Sequence, residues 1–361
     1  MLEDEMMIER LQEKEAELKE LLKQHQIPGC SICVSHNAQT IWSLHHGFAH
    51  TQDDIPVTKD TIYRVGSVTK PFTAMLMMQL RDKGLFRLDE SLSTYEPLLD
   101  LVKRNFSDSV PITFRMVASH ISGLPKTIEQ AEDMRQMTME ECIEMLTILT
   151  PPWSIINYSS LGYSILSKVL ERVAGSSYRQ LVASNILEPL QLKQTGFIET
   201  ANVAQGYTLS PSGLKQISYP STQHPSWEDG TSGLFSTAED LIRFIHAQFE
   251  GSKLLNRYSL KEMQSPVMLE QDFSRGTGLA WFLRPLNGFT IAEHGGEVKG
   301  FTSYIGFVPN VKLGVCVLLN SDERLARRIG QMLLDIMLPA NKNESSKRKE
   351  RLNRLLRQTT T

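Results

Sequence analysis

The sequence predicts a mixed α/β fold of the α+β type. Strand-like stretches occur before residue 66 and again after residue 288, whereas residues 112–190 have mostly helical spacing. Helices are also predicted near the two ends, an amphipathic one from Glu3 to about Gln24 and a last one from Asp322 to Leu338. The chain therefore divides into strand-rich ends and a helical middle.

Length and composition are those of an ordinary globular protein. With 361 residues, of which 41% are hydrophobic and 22% charged, the chain can form one large domain or two modest ones. A net charge of -3, without a basic stripe, argues against nucleic acid as a partner. The start, Met1-Leu2-Glu3-Asp4-Glu5, is acidic where a secretory signal is basic, and no apolar run approaches membrane-spanning length. We expect a cytoplasmic protein, or an exported one if a leader was removed.

The first two strands are predicted to form a hairpin, Ser31–Ser35 and Thr40–Leu44, with a turn between them. Adjacent strand residues face opposite ways and no carboxylate falls at ligand spacing, so the nearby histidines are interpreted as structural. The cysteines are interpreted as core thiols, because no second Cys-x-x-Cys completes a metal set. No metal or cofactor is predicted. These residues are His36, His45, His46 and His50, and Cys30, Cys33, Cys142 and Cys316.

The stretch Val65-Gly66-Ser67-Val68-Thr69-Lys70 places a hydroxyl and an amine three residues apart at the start of an apolar helix. Residues at this spacing share one helix face, so the amine of Lys70 is expected beside the hydroxyl of Ser67. A serine hydroxyl is a poor nucleophile at neutral pH and needs such a base. Taken alone the motif is unspecific, since a helix cap followed by a solvated lysine has the same pattern.

The second half of the chain contains further predicted elements. Residues 206–231 are polar and turn-rich, and we interpret them as loops bordering a cleft. A capping box, Ser236-x-x-Glu239, is expected to begin a helix. From residue 342 to 357 the chain is basic, which predicts a solvated tail or a contact with an anionic partner. Three successive antiparallel strands are predicted at Phe289–His294, Thr302–Val308 and Leu313–Leu319.

Three motifs occur in a fixed order, namely Ser67-x-x-Lys70, Tyr158-Ser159-Ser160 and His294-Gly295-Gly296. In this order the chain resembles the serine β-lactamase and penicillin-binding protein superfamily. The closer resemblance is to the branch with class C β-lactamases, family VIII carboxylesterases and D-amino-acid peptidases. It covers about residues 10 to 338 and includes Ser119-His120-x-Ser122-Gly123-Leu124-Pro125, Glu188-Pro189-Leu190 and Gly233-Leu234-x-Ser236-Thr237-Ala238-Glu239-Asp240-Leu241.

The resemblance implies a β-lactamase/transpeptidase-like fold. An antiparallel sheet from both chain ends, flanked by the terminal helices, would meet an all-helical region. We therefore predict a single domain over residues 1–340, with its α/β part at 1–66 and 230–340, its helical part at 67–229, and a basic tail at 341–361.

The resemblance also implies roles for individual residues. Ser67 would be the nucleophile of an acyl-enzyme, and Lys70 and Tyr158 would relay protons. The backbone N–H groups of Ser67 and Glu297 would hold the oxyanion, with Gly295 and Gly296 letting the strand approach the acyl group.

Two departures from the pattern bear on the substrate. Many relatives carry Tyr-x-Asn where this chain has Tyr158-Ser159-Ser160. Lactamases carry Lys-Thr-Gly where this chain has His294-Gly295-Gly296. Both changes weaken the hold on a β-lactam. We therefore expect a serine hydrolase acting on small esters or D-amino-acid amides and peptides, with weak or no β-lactamase activity. The alternative is a penicillin-binding or non-catalytic ligand-binding protein of the same fold, and the oligomeric state stays open.

Overall fold

A computed structural model describes residues 2–106, 110–127, 137–197, 202–218, 226–272 and 274–339. Its helices in chain order are α1 (Leu2–Gln24), α2 (Thr69–Asp82), α3 (Phe114–Ala118), α4 (Met139–Glu144), α5 (Ser160–Ala174), α6 (Tyr178–Val182), α7 (Glu188–Leu190), α8 (Asp229–Ser232), α9 (Ala238–His246), α10 (Arg257–Met263) and α11 (Ala326–Met337).

The strands in chain order are β1 (Gly29–His36), β2 (Gln39–His50), β3 (Ile55–Pro56), β4 (Tyr63–Arg64), β5 (Lys103–Arg104), β6 (Thr147–Ile148), β7 (Tyr207–Ser210), β8 (Gly213–Gln216), β9 (Phe235–Ser236), β10 (Met268–Leu269), β11 (Gly276–Thr277), β12 (Phe282–Leu286), β13 (Phe289–Val298), β14 (Phe301–Val308) and β15 (Leu313–Leu319). The predicted hairpin and the three late strands are confirmed.

The main sheet joins the two ends of the chain. Within the described residues it has nine antiparallel strands in the order β10-β11-β12-β13-β14-β15-β1-β2-β3. The seam lies between β15 and β1, where Cys316 pairs with Cys33 across the ladder. An antiparallel sheet built from both ends, as predicted, is therefore present.

Each face of the sheet is covered by a separate hydrophobic cluster. On one face α1 and α11 pack together on the sheet, and Leu11, Leu18 and Leu333 are almost completely buried there. The other face packs against α9 and the inserted helices, where Phe72 stacks on Phe244 with ring centroids 3.7 Å apart. Burying such apolar side chains stabilises the fold by about 1.5–3 kcal/mol each. The terminal helices thus flank the sheet as predicted.

The turn between β1 and β2 is tighter than expected. Asn37 and Ala38 both have positive φ, 51° and 61°, so the strands are joined by a two-residue turn that matches their right-handed twist. Strand pairing consequently extends to His36 and Gln39, which the sequence had suggested for the turn.

Three other predictions need correction. The region 67–229 is mainly rather than entirely helical, because β5 pairs with β6 and β7 forms a hairpin with β8. This hairpin replaces part of the loops expected at 206–231; Gly213, at φ +104°, supplies its turn. The cap of α9 is Thr237, whose side chain accepts from the N–H of Asp240, and not Ser236.

The basic tail at 341–361 lies outside the described residues, and the division into one domain with a tail stays a prediction. In the part of the chain that the structure describes, no helix combines the length and the apolarity needed to cross a bilayer.

Candidate active site

Ser67 and Lys70 lie at the start of α2, where a short 3₁₀ turn at Gly66–Val68 leads into the helix. Nζ of Lys70 donates to Oγ of Ser67 over 2.9 Å and to the carbonyl of Thr231 over 3.1 Å. The Lys70 side chain is fully buried. The proximity predicted from the three-residue spacing is confirmed.

Tyr158 approaches Ser67 from the loop that precedes α5. Its phenol donates to Oγ of Ser67 over 2.8 Å, and its ring centroid lies 5.0 Å from Nζ of Lys70. Asn157 anchors this loop by donating to the carbonyl of Leu124 over 3.0 Å. Two separate elements therefore bring an amine and a phenol to the same serine oxygen.

Burial and mutual charge shift the pKa values of this pair. Burial lowers the pKa of Lys70 below its usual value, and the neighbouring Tyr158 only partly offsets this effect. For Tyr158, burial alone raises the pKa, but the charge of Lys70 and hydrogen bonds with Lys70, Ser67 and Ser160 together lower it. Each group thus releases its proton more readily than the isolated side chain does, which suits a proton relay.

Two glycines allow β13 to pack directly on the turn that carries Ser67. A Cβ on Gly296 would clash with the carbonyl of Val65 and come within 3.1 Å of the Ser67 nitrogen. A Cβ on Gly66, where φ is +52°, would come within 3.0 Å of the Glu297 nitrogen. The backbone nitrogens predicted to form an oxyanion hole therefore lie on segments in direct contact.

The predicted site residues line one cleft of about 610 Å³, with Lys70 buried behind its floor. The cleft brings together motifs from α2, the start of α5 and β13, which are far apart in the sequence. Those of its lining residues that the sequence predicted are Ser67, Tyr158, Ser160, His294, Gly295, Gly296 and Glu297, and those that it missed include Lys126, Phe282, Arg324 and Arg327.

His294 is buried and cannot act as a cation at neutral pH. Its Nδ1 lies 2.7 Å from the carbonyl oxygen of Gly295, which accepts a hydrogen bond from the neutral tautomer that carries its proton on Nδ1. Burial, and then the charge of Lys70, lower its pKa to about 3. The cations at this end of the cleft are instead Arg327, on α11, and Arg324, just before it. A Cβ added to Gly295 would lie 3.6 Å from the Arg327 guanidinium.

His120 is a further residue whose role the sequence did not reveal, although it belongs to a quoted motif. Its Nδ1 accepts from the backbone N–H of Ser159 over 3.1 Å, and its ring centroid lies 4.4 Å from that of Tyr158. Burial lowers the pKa of His120 well below its usual value, so the ring is neutral. His120 therefore packs against the Tyr158 ring and holds the backbone of the residue that follows it.

The sheet and helices have the β-lactamase/transpeptidase-like arrangement. The octameric penicillin-binding protein homologue from Pyrococcus abyssi has a TM-score of 0.79 to this chain at 25% identity, covering 93% of this chain and 78% of that protein. EstCE1, a hydrolase with promiscuous acyltransferase activity, also has a TM-score of 0.79, at 20% identity, covering 93% of this chain and 100% of that protein.

The sequence comparison agrees with the fold. Residues 15–334 match the family model named Beta-lactamase, so the chain belongs to the β-lactamase family. β-Lactamase-like protein 2 of Dictyostelium discoideum is 28% identical over 314 residues, which cover 82% of this chain and 57% of that protein. The chain thus spans less than two thirds of that relative.

Proposed function

We propose that this chain is a serine hydrolase that forms an acyl-enzyme on Ser67 and acts on small esters. The observation that carries the proposal is the pair of hydrogen bonds that Oγ of Ser67 receives from Lys70 and Tyr158. This oxygen lies at the floor of an open cleft, where a carbonyl carbon can reach it. A nucleophile, a base and an approach path are therefore together in one place.

In the acylation step, Oγ of Ser67 bonds to the substrate carbonyl carbon and its proton passes to the Lys70–Tyr158 pair. The carbonyl oxygen becomes an oxyanion, which the N–H groups of Ser67 and Glu297 stabilise. The intermediate then collapses, the bond to the leaving alcohol breaks, and the pair returns a proton to that alcohol.

Deacylation reverses these roles with water as the nucleophile. Tyr158 and Lys70 take a proton from the water as its oxygen bonds to the acyl carbon. The ester bond to Ser67 breaks, Oγ recovers a proton from the pair, and the acid leaves. Lowered pKa values in both groups support this exchange at neutral pH.

The residues around the nucleophile favour esters over β-lactams. Ser160 has a shorter side chain than the asparagine of many relatives, and His294 is neutral and buried. Losing a charge-assisted hydrogen bond to a substrate carboxylate costs about 1.5–3 kcal/mol, whereas an exposed cation such as Arg327 returns only about 0–1 kcal/mol. We therefore expect weak or no β-lactamase activity. EstCE1, a hydrolase with promiscuous acyltransferase activity, has the same fold.

Amides and peptides of D-amino acids are the second substrate class, as the family resemblance implies. They need the same acyl-enzyme, so they differ from esters only in the leaving group and the side-chain pocket. A binding protein without turnover is the rival function, and its expected result is the absence of a covalent adduct.

Intact-mass spectrometry after exposure to a fluorophosphonate tests the proposal directly. The expected result is one adduct on the wild-type chain and on Ser184→Ala, a matched control at an exposed serine, and none on Ser67→Ala. No adduct on the wild-type chain, or an undiminished adduct on Ser67→Ala, would show that the nucleophile is wrongly assigned.

A substrate panel then separates the classes. We expect the kcat/KM of short-chain p-nitrophenyl esters to exceed that of nitrocefin by at least about tenfold, with D-aminoacyl anilides in between. Hydrolysis of nitrocefin as fast as the best ester would contradict the proposed substrate preference while leaving the nucleophile intact.

A further inference from the structure

A second group of reactive side chains lies outside the cleft, between the sheet and the start of α9. Cys33 comes from β1, His45 from β2 and Glu239 from the first turn of α9. Oε1 of Glu239 lies 3.0 Å from Nε2 of His45 and 3.5 Å from Sγ of Cys33. These three ligand-type atoms all lie within 4.8 Å of one another.

The imidazole of His45 is held in one orientation by a chain of hydroxyls. Its Nδ1 is 3.2 Å from Oγ of Ser31, which in turn is 3.2 Å from the phenol oxygen of Tyr63. Such a partner on one ring nitrogen holds the ring in its orientation and directs the other nitrogen at a ligand position. Nε2 of His45 therefore faces Glu239 and Cys33 in a defined way.

Glu239 has no capping role that would occupy its carboxylate. The helix is capped by Thr237 instead, and Oε2 of Glu239 is a buried oxygen without a hydrogen-bond partner among the described residues. An unpaired buried acceptor costs free energy. One acceptor of this group is thus left available to a ligand.

We propose that Cys33, His45 and Glu239 form a binding site for a single zinc ion. A thiolate, an imidazole and a carboxylate are the ligand types that Zn²⁺ takes, and its bond lengths of about 2.0–2.3 Å place neighbouring ligand atoms roughly 3.3–3.8 Å apart. The observed separations from Glu239, 3.0 and 3.5 Å, bracket the lower end of this range. Partial exposure of His45 and Glu239 gives the ion a path in.

The proposal explains why a thiol lies against a carboxylate in a largely buried place. Sγ of Cys33 donates to Oε1 of Glu239 over 3.5 Å, and this hydrogen bond is weak because a thiol is a weak donor. A divalent cation between them replaces this contact with two charge-compensated bonds and releases the thiol proton. The site ties β1, β2 and α9 together and does not depend on Ser67.

Titration of the untagged, reduced chain with Co²⁺, followed by displacement with Zn²⁺, tests the site. The expected result is one equivalent of bound Co²⁺ with a sulfur-to-cobalt charge-transfer band that Zn²⁺ abolishes. Cys33→Ser should remove the band, and Glu239→Gln should weaken binding by about 10–100-fold or more, by analogy with ligand-shell substitutions. Absence of the band in the wild-type chain would overturn the proposal.

Cys30→Ser is the matched control, because Cys30 lies on the same strand but faces the α1 side of the sheet. It should retain both the band and the affinity. Melting curves without metal check that each variant is folded. If Cys33→Ser does not fold, Glu239→Gln serves as the test variant, because glutamine keeps the size and the hydrogen-bonding capacity of the glutamate side chain. A band that persists in Cys33→Ser, or disappears in Cys30→Ser, would also overturn the proposal.

Discussion

The phenol of Tyr158 donates a hydrogen bond of 2.8 Å to Oγ of Ser67, although the two residues are 91 positions apart in the chain. Lys70 reaches the same oxygen from the first turn of α2, directly after the 3₁₀ turn that carries Ser67. One serine oxygen therefore accepts hydrogen bonds from an amine that is near in sequence and from a phenol that is distant. In the proposed mechanism these two groups act as a unit.

Tyr158→Phe and Lys70→Ala should each lower kcat/KM for a p-nitrophenyl ester by about 10²–10⁴-fold, as the loss of an acid or base group does. The double variant should lose far less than the product of the two, because each single change already disables the relay. Steady-state kinetics of the four proteins measure this coupling.

Tyr163→Phe is the control for that comparison. Its ring also lies near Lys70, at 5.6 Å, but its hydroxyl donates to the carbonyl of Ala118 and not to Ser67. It should keep activity within a few-fold of wild type. Fully multiplicative losses in the Tyr158 and Lys70 variants would mean that the two residues act independently.

Gly296→Ala should lower both stability and activity, whereas Gly295→Ala should leave stability nearly unchanged. A Cβ on Gly296 would clash with the carbonyl of Val65, while the nearest contact of one on Gly295 is an arginine side chain at 3.6 Å. Overpacking of this kind costs about 1–3 kcal/mol. Urea unfolding and ester kinetics of the pair check it, and equal effects of the two substitutions would contradict it.

His294 should make the fold less stable in acid. Its pKa is about 3 in the folded state and about 6.5 in the unfolded chain, so the unfolded state binds more protons between these values. Stability is therefore complete above pH 6.5 and falls as the pH drops towards 3, by about 2 kcal/mol at pH 5 from this residue alone.

Urea unfolding at pH 7 and pH 5 measures that loss in the wild type and in His294→Gln. The variant should lose less stability between the two pH values, with the remainder due in part to His120, whose pKa burial also lowers. An identical loss in both proteins would show that His294 is not the titrating group.

Arg327→Gln should weaken the binding of anionic esters without affecting neutral ones. This exposed guanidinium lines the cleft beside Gly295, and a contact between exposed charges contributes about 0–1 kcal/mol. We expect KM for a p-nitrophenyl hemisuccinate to rise about two- to fivefold, with p-nitrophenyl acetate unchanged. Arg324→Gln, which removes an exposed cation already paired with Glu297 at 3.1 Å, should have the smaller effect. Equal changes for both esters would argue against a charge effect.

Local patterns account for what could be predicted about this chain. The pairing of Ser67 with Lys70 follows from three-residue spacing on a helix, and the buried stripe of α1 follows from helical periodicity. The position of Cys30 and Cys33 on opposite faces of β1 follows from strand alternation, and the two cysteines do fall in different hydrophobic clusters.

The same local patterns misassigned Glu239. Its spacing from Ser236 suggested a capping box, because that motif is recognised only from a serine and a glutamate three positions apart. In the folded chain Thr237 caps the helix, and Glu239 turns to His45 and Cys33, which are about 200 residues earlier. The sequence around His45 could not indicate this contact, because the carboxylate that makes it belongs to a distant segment.

By itself, the sequence determined the strand-rich ends, the helical middle, and the order of the three motifs that carry the candidate chemistry. Only the tertiary structure decided that His294 is buried and neutral, that Arg327 supplies the cleft with a cation, and that His120 supports Tyr158. The physical reason is that periodicity reports the geometry of neighbours along the chain. Burial and charge at a site depend on which distant segments the folded chain brings together.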